Sequence, residues 1–358
     1  MSMQAIVTQG DGVIALQEVQ RPTPGPGEVL VKIHYAAQNP GDYKTVKGAP
    51  PIVPPASAGL IAGCDFSGTI EDANDSVWTA GQRVAGFIQG AGDNGPPSNP
   101  IRGAFAEYVT IEPSMLFEVP NNVELKGAAT VGAAFATATQ AMYRRLRLPR
   151  PGEAATGEWL LIYGGATSVG NYAIQLAKLS GLKVVTTASP RNHDHLKSLG
   201  ADAVFDYRGD WVEAVKKLTG GKLQKAFDTV CQDDSTLKIA ETLSHSAEDH
   251  IVVLVPAFPQ VKEEIARANP YATVEWTMVF TVFGKAIPLI GFDNVGGETP
   301  EDKRLWEEFL RLLPQLLEKG QVKTNRTKEL GGLESISEGF KLLEEVKVSN
   351  EKLVHKII

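Results

Sequence analysis

Three closely spaced glycines are the clearest candidate for a phosphate-binding turn in this chain. They are Gly164, Gly165 and Gly170, in the stretch YGGATSVG. Glycines at such places allow a tight bend, a close approach of the backbone to a pyrophosphate, and close packing of the following helix, whose N-terminus attracts the phosphate. The spacing, GGxxxxG, departs from the standard fingerprint, so a glycine turn without a nucleotide is the alternative. The predicted contacts also include the residues between the glycines, Ala166, Thr167, Ser168 and Val169.

The residues about twenty positions beyond the turn indicate which dinucleotide would bind. Sites that prefer NAD usually place an acid there, but this chain reads VVTTASPRN, with no acid before Asp194. The serine, arginine and asparagine of SPRN offer a hydroxyl, a permanent cation and an amide, which suit a 2′-phosphate better than a diol. We therefore predict NADPH over NADH, although Arg191 could also be a solvated arginine at a helix start. The predicted contacts are Ser189, Pro190, Arg191, Asn192 and Tyr207.

The elements around the turn must hold it between a strand and a helix. Residues 159–163, WLLIY, form a short apolar run typical of a buried parallel strand. Over residues 171–179 the apolar side chains fall at helical spacing. Strand and helix then alternate, which predicts an α/β fold with a doubly wound parallel sheet. The five predicted strands cover residues 159–163, 183–187, 203–205, 226–230 and 251–255, and further helices are predicted over 193–199, 211–218 and 235–243.

The segments before and after this region have other patterns. Residues 1 to about 120 read as short strands between glycine and proline turns, which predicts an all-β region. Irregular loops are expected at residues 48–59 and 90–103, where they either shape a substrate cleft or decorate the surface. An alanine-rich stretch, residues 125–146, predicts one long helix. Amphipathic helices over residues 305–317 and 336–345 and a last strand at 351–358 are expected to return the chain to its first region.

Composition and charge exclude several classes of protein. The 358 residues are 43% hydrophobic and 22% charged, which is typical of a globular protein of about two domains. A net charge of −7 without a basic run argues against nucleic-acid binding. The N-terminus lacks the basic start and apolar core of a signal or membrane anchor, so the cytoplasm is the expected compartment. Cys64 and Cys231 are too few for a disulfide framework or a thiolate zinc site.

Several motifs, taken in order, resemble the medium-chain dehydrogenase/reductase superfamily, in particular its zinc-independent, quinone oxidoreductase-like members. The resemblance covers the whole chain and implies a GroES-like β domain, a Rossmann domain and a C-terminal return. The segments SPRN, FDYR, TVFG and EKLV are more similar to the fungal trans-acting enoyl reductases. Those stand-alone enzymes reduce a C=C bond of a polyketide held by a synthase, with NADPH and no metal. The motifs that carry the superfamily resemblance are QNPGDYKTVKG, GCDFSG, GQRV, GAFAEYV, YGGATSVG and GADAVFDYR.

The resemblance also implies domain boundaries and shows where zinc ligands would be expected. The implied boundaries are residues 1–123 and 291–358 for the GroES-like catalytic domain and 124–290 for the NADPH-binding Rossmann domain. Zinc-dependent relatives use a Cys, a His from a GHE motif and a later Cys as ligands, and carry a four-cysteine structural loop. Here GCD, with Cys64, stands where GHE would, no cysteine lies between Asn39 and Asp42, and the structural loop is missing. We therefore expect no metal.

Conjugate reduction without a Lewis acid needs orientation, a donor for the enolate oxygen and a proton source. Quinone and enoyl reductases of the superfamily often have a Tyr in the segment that reads GDYKTVKG here. Alignment on Gly48 places Lys44 at that position, as in the fungal enzymes. We expect Lys44 to hold cofactor or substrate and to be the first candidate for the proton donor, with Tyr43 second; the alternative is a solvated lysine on an exposed turn. The resemblance implies that Gly41 and Asp42 of this segment also contact the cofactor.

Further contacts are carried over from the resemblance. Apolar residues at strand ends also commonly belong to the core, so these contacts rest on position alone. The implied cofactor contacts are Thr137, Leu254, Val255, Leu353 and Val354. The implied substrate contacts are Thr137, Ala138, Phe283, Gly284 and Lys285.

Together these patterns predict NADPH-dependent, metal-independent reduction of an activated C=C bond on a small-molecule or carrier-bound acyl substrate, with a polyketide synthase as a candidate partner. The alternatives are a general quinone or enone reductase and a non-catalytic NADPH-binding protein. The phosphate-binding set and Lys44 speak against the last. Dimeric relatives often pair a strand that follows the Rossmann core, but the proline and glycines of residues 285–302 would interrupt such pairing. We therefore expect a monomer.

Overall fold

The structure is a computed structural model that describes residues 1–49, 52–92, 102–232, 234–285, 287–289, 292–295 and 300–358. The chain divides into two compact units. We call Met1–Ala133 with Phe280–Ile358 the discontinuous unit and Ala134–Val279 the continuous unit.

Strands and helices are numbered in chain order. The strands are β1 (Ser2–Gly10), β2 (Val13–Gln20), β3 (Val29–Ala37), β4 (Asp65–Asp72), β5 (Arg83–Phe87), β6 (Tyr108–Ile111), β7 (Leu116–Glu118), β8 (Trp159–Tyr163), β9 (Lys183–Thr187), β10 (Ala203–Phe205), β11 (Lys225–Asp228), β12 (His250–Val253), β13 (Thr273–Trp276), β14 (Ile287–Leu289), β15 (Phe292–Val295), β16 (Thr327–Gly331) and β17 (Lys352–Lys356). The helices are α1 (Pro40–Lys47), α2 (Leu125–Ala128), α3 (Gly132–Thr139), α4 (Ser168–Leu179), α5 (His193–Ser198), α6 (Trp211–Thr219), α7 (Ser235–Thr242), α8 (Pro259–Ala268), α9 (Pro300–Glu318) and α10 (Ile336–Glu344).

The continuous unit is built on a parallel sheet in the order β10-β9-β8-β11-β12-β13. Leu161, Val185, Ala226 and Ile251 come from four of these strands and are fully buried in one apolar core. The strand and helix on either side of the glycine turn lie where their patterns predict, as β8 and α4. The predicted doubly wound α/β fold is therefore confirmed.

The sequence prediction omitted the last strand of this sheet and the helix before it. Strand β13 pairs in parallel with β12, and α8 connects the two. Only four residues long and half-buried at a sheet edge, β13 lacks the continuous apolar run that marks a central strand. The sheet therefore has six strands instead of the predicted five.

The discontinuous unit contains a mainly antiparallel sheet in the order β16-β17-β3-β4-β5-β7, with β6 also paired to β3 and β1 paired to β2 in a separate hairpin. The expected return of the C-terminal strand is confirmed, since Val354 of β17 pairs with Ala37 of β3. An apolar core that includes Ile6, Phe105 and Phe340 joins the two parts of this unit.

The expectation of an all-β first region was wrong at one place, where the chain forms the helix α1. Asn39 precedes it in extended conformation, Pro40 occupies the first helical position, and Gly48 ends it with a φ of 80°. These are ordinary start and stop signals, but eight residues are too few to show a clear helical period.

The single long helix predicted over residues 125–146 is interrupted. The structure has α2, then α3, then a π-helical segment, Gln140–Arg145. The break lies where the buried Asp65 carboxylate accepts a hydrogen bond from the backbone of Ala133 at 2.7 Å. A Cβ on Gly132 would lie 2.4 Å from the same carboxylate, so a distant residue sets this helix start.

Parts of three predicted segments lie outside the described residues. In the last of these segments, β14 and β15 pair with each other as an antiparallel ribbon. The monomer that we predicted from this segment stays a prediction. Within the described ranges, no helix is both long and apolar enough to span a membrane. The segments and their omitted parts are residues 48–59 without 50–51, residues 90–103 without 93–101, and residues 285–302 without 286, 290–291 and 296–299.

Candidate active site

The glycine turn joins β8 to α4 and is tied to the neighbouring strand. Gly164 has a φ of 82°, and its N–H donates to the hydroxyl of Thr187 at 3.0 Å. The N–H of Gly165 donates to the Thr187 carbonyl, also at 3.0 Å. A Cβ on Gly165 would lie 2.2 Å from the buried hydroxyl oxygen of Thr186. Only glycine fits here without displacement of this hydroxyl or of the turn.

The glycine turn and the first turn of α4 contain backbone N–H groups that have no partner in the described part of the chain. Thr167 caps the helix by accepting a hydrogen bond from the N–H of Gly170 at 2.9 Å, and a Cβ on Gly170 would lie 2.4 Å from the Gly164 carbonyl oxygen. Among the described residues, the N–H groups of Ala166 and Val169 have no hydrogen-bond partner. A helix N-terminus with free N–H groups is a binding site for phosphate, and these residues fit the pyrophosphate of a dinucleotide.

The residues predicted to bind the 2′-phosphate follow the next two strands. Residues 189–192 lie directly after β9, where Pro190–Asn192 form a 3-10 turn, and Tyr207 follows β10 with 43% of its surface exposed. Because β10, β9 and β8 are adjacent and parallel, all three predicted cofactor segments lie at one sheet edge. Arg191 is exposed and has no ion-pair partner in the described part of the chain, so its charge is available to an anion.

Sequence reasoning missed the residues that support this edge. The Thr229 hydroxyl accepts a hydrogen bond from Thr167 at 2.9 Å and itself donates to the Tyr163 carbonyl at 2.8 Å. Next to Tyr207, Arg208 forms two hydrogen bonds with Asp206, at 2.9 and 2.8 Å. A threonine directly after a strand was the available signal, whereas nothing in the sequence indicated the Asp206–Arg208 pairing.

Other predicted contacts lie elsewhere in the continuous unit. Thr137 and Ala138 are on α3, with exposures of 8% and 0%. Leu254 follows β12, and its N–H donates to the sulfur of Cys231 at 3.1 Å. Val255 is exposed. Leu254 and Val255 therefore lie at the carboxyl edge of the sheet, the same edge as the glycine turn, as predicted for the cleft of an open α/β sheet.

In the discontinuous unit, α1 carries the residues predicted to act on the substrate. Lys44 is exposed, and its ammonium group has no ion-pair partner among the described residues. Tyr43 is half-buried, with its ring 6.4 Å from that of Phe340, and burial raises the pKa of its phenol. Gly41 is exposed and Asp42 is buried. Lys44 is thus the member of the pair that reaches solvent, while Tyr43 packs partly into the core.

A buried group of charges lies just before α1. The Lys352 ammonium is 2.9 Å from the Asp65 carboxylate, and both side chains are fully buried. The Asn39 amide donates to the same carboxylate oxygen at 2.9 Å, and its oxygen accepts from Lys352. The Asp65 carboxylate is therefore already neutralised by a cation of the protein.

Asp42 and Cys64 form a second buried pair beside it. One oxygen of Asp42 accepts from the N–H of Asn39 at 2.6 Å, while the other has no hydrogen bond of good geometry among the described residues. Burial raises the pKa of Asp42 to about 7, although contact with the Cys64 thiol opposes the shift. Burial, then the Asp42 charge, raises the pKa of Cys64. A high thiol pKa disfavours the thiolate that binds zinc.

By the sequence resemblance, Cys64 and the segment from Asn39 to Asp42 correspond to positions of zinc ligands in the zinc-dependent relatives. Within the described ranges, no cluster of three or more His, Cys, Asp or Glu side chains could hold a metal ion. The donor set does not fit a catalytic zinc, because its carboxylate is paired with Lys352 and its thiol favours the protonated form.

The remaining predicted contacts lie in two places. Leu353 and Val354 are fully buried in β17, and the Leu353 carbonyl accepts from the N–H of Gln38 at 2.9 Å. Phe283 packs on Phe87 with ring centres 4.9 Å apart. Phe283 and Lys285 line a narrow pocket together with the apolar residues Ile88, Ile111, Met115 and Phe280 and the polar residues Gln89, Arg102 and Glu112. Gly284 lies between them with a φ of 70°.

Comparison with known proteins identifies the family. Residues 25–121 match the family described as alcohol dehydrogenase GroES-like domain, and residues 168–285 match the zinc-binding dehydrogenase family. A trans-enoyl reductase of Alternaria alternata is 35% identical, with 100% of this chain and 99% of that protein covered. A trans-enoyl reductase of Botryotinia fuckeliana is 32% identical, with coverages of 99% and 100%. The chain belongs to the trans-enoyl reductase family.

Solved structures share the fold of this chain. The quinone oxidoreductase of Coxiella burnetii is 26% identical and superposes with a TM-score of 0.72, with both chains covered completely. The CurK enoyl reductase has a TM-score of 0.78 at 19% identity, with 99% of each chain covered, and supports the fold alone. The predicted family and fold are confirmed. As a medium-chain dehydrogenase/reductase, this trans-enoyl reductase uses a nicotinamide cofactor.

Proposed function

We propose that this protein catalyses NADPH-dependent, metal-independent reduction of an activated C=C bond in an acyl thioester held on the carrier domain of a polyketide synthase. The full-length similarity to trans-enoyl reductases at 35% identity carries this proposal. The carboxyl edge of the parallel sheet supports it, because the N–H groups and the arginine found there have no partners among the described residues and are available to a pyrophosphate and a further phosphate.

The cofactor is proposed to lie across the carboxyl ends of β8, β9 and β10. The N–H groups of Ala166 and Val169 would hold the pyrophosphate, and Arg191 would bind the 2′-phosphate that distinguishes NADPH from NADH. Tyr207, which is exposed, would add one hydrogen bond through its hydroxyl group. The absence of an acid from SPRN removes the repulsion that would oppose this phosphate.

The proposed chemistry is a conjugate reduction. When bound, NADPH supplies a hydride to the β-carbon of the enoyl thioester. The protein must then stabilise the enolate oxygen and allow a proton to reach the α-carbon, so that the C=C bond becomes a saturated C–C bond. Lys44 is our first candidate for the proton donor and for holding the cofactor or substrate, because the residue is exposed and has no ion-pair partner among the described residues. Tyr43 remains the second candidate for the proton donor.

Reduction of small quinones or enones is the second candidate function. The similarity to a quinone oxidoreductase at 26% identity favours it. The two functions differ in the substrate and share the cofactor site.

A comparison of substrates tests the proposal. Oxidation of NADPH by the purified protein would be followed at 340 nm, with crotonyl and longer enoyl thioesters of N-acetylcysteamine in parallel with benzoquinones and simple enones. We expect turnover of the thioesters with a higher kcat/KM than the quinones. Rapid turnover of quinones with none of the thioesters would replace the proposed function with the second one. A Lys44→Ala variant should lose kcat on the thioesters more than it changes the KM for NADPH.

A further inference from the structure

The continuous unit has a basic cleft at the sheet edge opposite the glycine turn. It has a volume of about 350 Å³ and is lined by the first residues of three adjacent strands, Trp159 of β8, Lys183 of β9 and Lys225 of β11, and by Lys222 from the loop after α6. Lys183 and Lys225 are separated by one strand, and therefore by about 10 Å. A volume of this size is in the range of functional binding sites.

The three lysines of this cleft carry charge that the described residues do not neutralise. None of their ammonium groups has a carboxylate partner within 4.0 Å in the described ranges, whereas Lys178, Lys216 and Lys238 of the same unit are paired at 2.8 to 2.9 Å. Glu158 also lines the cleft, which leaves an excess of two positive charges in a chain whose net charge is −7. The cleft therefore favours an anionic partner.

The neighbouring elements indicate which kind of anion fits. Helix α6 ends at Thr219, which lines the cleft, and the carbonyl end of a helix carries partial negative charge. A compact phosphate could not contact both Lys183 and Lys225, which lie about 10 Å apart, and the glycine turn already offers phosphate a helix N-terminus. Three separated ammonium groups beside an indole ring suit several carboxylates spaced along a polypeptide. Lys183 already lies 5.7 Å from the centre of the Trp159 ring.

We propose that this cleft docks an acidic segment of the partner synthase. The inference extends the proposed function, since an enzyme that acts in trans on a carrier-bound substrate needs a surface that recognises its partner. The strands of the sheet are parallel, and the cleft lies at their amino ends, while the glycine turn lies at the carboxyl end of β8. Docking there leaves the proposed cofactor edge open.

Binding of an acidic peptide tests the docking site directly. The probe is a fluorescein-labelled peptide of alternating Glu and Gly residues, titrated against the full chain and followed by fluorescence anisotropy. The test variant is Lys183→Gln/Lys222→Gln/Lys225→Gln. The matched control is Lys197→Gln/Lys216→Gln/Lys238→Gln, which removes the same charge from the same unit. We expect about tenfold weaker binding by the cleft variant and less than about a twofold change in the control, because net charge alone acts weakly.

Two further measurements make the result specific. Carbodiimide coupling of the peptide, mapped by mass spectrometry, should attach it to the three cleft lysines. Coupling mainly to Lys197, Lys216 or Lys238, equal weakening of both variants, or no peptide binding by the wild type would overturn the docking site. Inorganic pyrophosphate is titrated in parallel; if it binds through the cleft lysines and the peptide does not, the cleft is a small-anion site and the proposal is wrong.

The same variants separate this inference from the proposed function. Reduction of the free enoyl thioester should proceed at an unchanged rate in the cleft variant, because none of the three lysines belongs to the proposed cofactor or substrate sites. A wild type that binds the peptide but does not reduce the thioester would contradict the proposed function alone. A wild type that reduces the thioester but does not bind the peptide would contradict the docking site alone.

Discussion

At the scale of single residues, the proposed selectivity for NADPH depends on one exposed side chain. Arg191 stands at the carboxyl end of β9 without an ion-pair partner among the described residues. A charge-assisted hydrogen bond to phosphate contributes about 1.5–3 kcal/mol. NADH has no 2′-phosphate and cannot use it.

Replacement of Arg191 by Ala is therefore expected to raise the KM for NADPH by about tenfold or more and to leave the KM for NADH nearly unchanged. Steady-state kinetics with both cofactors measures the two values. Arg267→Ala on α8, where the arginine is exposed and pairs with Glu263 at 3.5 Å, is the matched control. Equal increases in the KM for NADPH and for NADH would show that Arg191 does not bind the 2′-phosphate.

A second effect at the residue scale is a pH-dependent stability. The pKa of Asp42 is about 7 in the folded chain because burial disfavours its charge, whereas an exposed Asp titrates near 3.9. Between these values the folded state binds the proton more strongly than the unfolded state. The contribution of Asp42 to stability is therefore greatest below about pH 4, falls as the pH rises to about 7, and levels off above it.

The variant Asp42→Asn lacks this titration while its side-chain oxygen can still accept from the N–H of Asn39. We expect the variant to gain stability relative to the wild type as the pH rises from 4 to 8, by about 2–4 kcal/mol at most. Urea unfolding at several pH values measures the difference. Asp75→Asn, on an exposed turn of the same unit, should show no such trend, and parallel curves for both variants would refute the role of Asp42.

At the scale of elements, the glycine turn depends on its fit against β9. A Cβ on Gly165 would lie 2.2 Å from the Thr186 hydroxyl oxygen, which is buried and donates to the Ile162 carbonyl at 2.5 Å. The added methyl must displace this hydroxyl or move the turn. Either change disturbs the free N–H groups of Ala166 and Val169.

For Gly165→Ala we expect a loss of about 1–3 kcal/mol in the free energy of unfolding and a weaker Kd for NADPH. Gly209→Ala is a suitable control, since the nearest atom to its Cβ is the Asp206 carbonyl oxygen at 3.5 Å, and it should change stability by less than about 0.5 kcal/mol. Denaturant unfolding and fluorescence titration of NADPH give both quantities. A Gly165→Ala protein that binds NADPH like the wild type would place the phosphate elsewhere.

The elements that could be predicted are those whose signal is local. The strand β8, the turn and α4 follow from an apolar run, three glycines and a helical spacing within about twenty residues. The break between α2 and α3 depends on the carboxylate of Asp65, which is far away in sequence. Strand β13 is too short and too exposed to have a recognisable strand pattern. The ion pair of Lys352 with Asp65 could not be predicted either, because the two residues are almost 290 positions apart.

At the scale of the whole molecule, the outermost strand of the parallel sheet is relevant to the oligomeric state. Strand β13 forms one edge, has only four residues and carries Glu275, which lies 3.6 Å from Arg145 and 3.2 Å from His250. A short edge strand with a charged residue is a poor template for pairing with a second copy.

We therefore propose a monomer at micromolar concentration. Multi-angle light scattering should give a mass close to 38.4 kDa. A mass of twice that value, unchanged on dilution, would show that another surface mediates stable dimerisation. The substrate comparison described above does not depend on this outcome.

The division of the chain also determines the order in which its parts can be completed during synthesis. The continuous unit is made in one stretch, Ala134–Val279, and has all its residues while the ribosome is still adding the rest. The other sheet lacks β17, which lies between β16 and β3, until nearly all of the chain has been translated. Residues 35–37 of β3, which pair with β17, therefore have an unpaired edge for most of that time, whereas β6 can already pair with residues 29–32, and an unpaired edge is a site of aggregation. Production of this protein should consequently be most sensitive to chaperone supply and temperature in the interval before its last strand emerges.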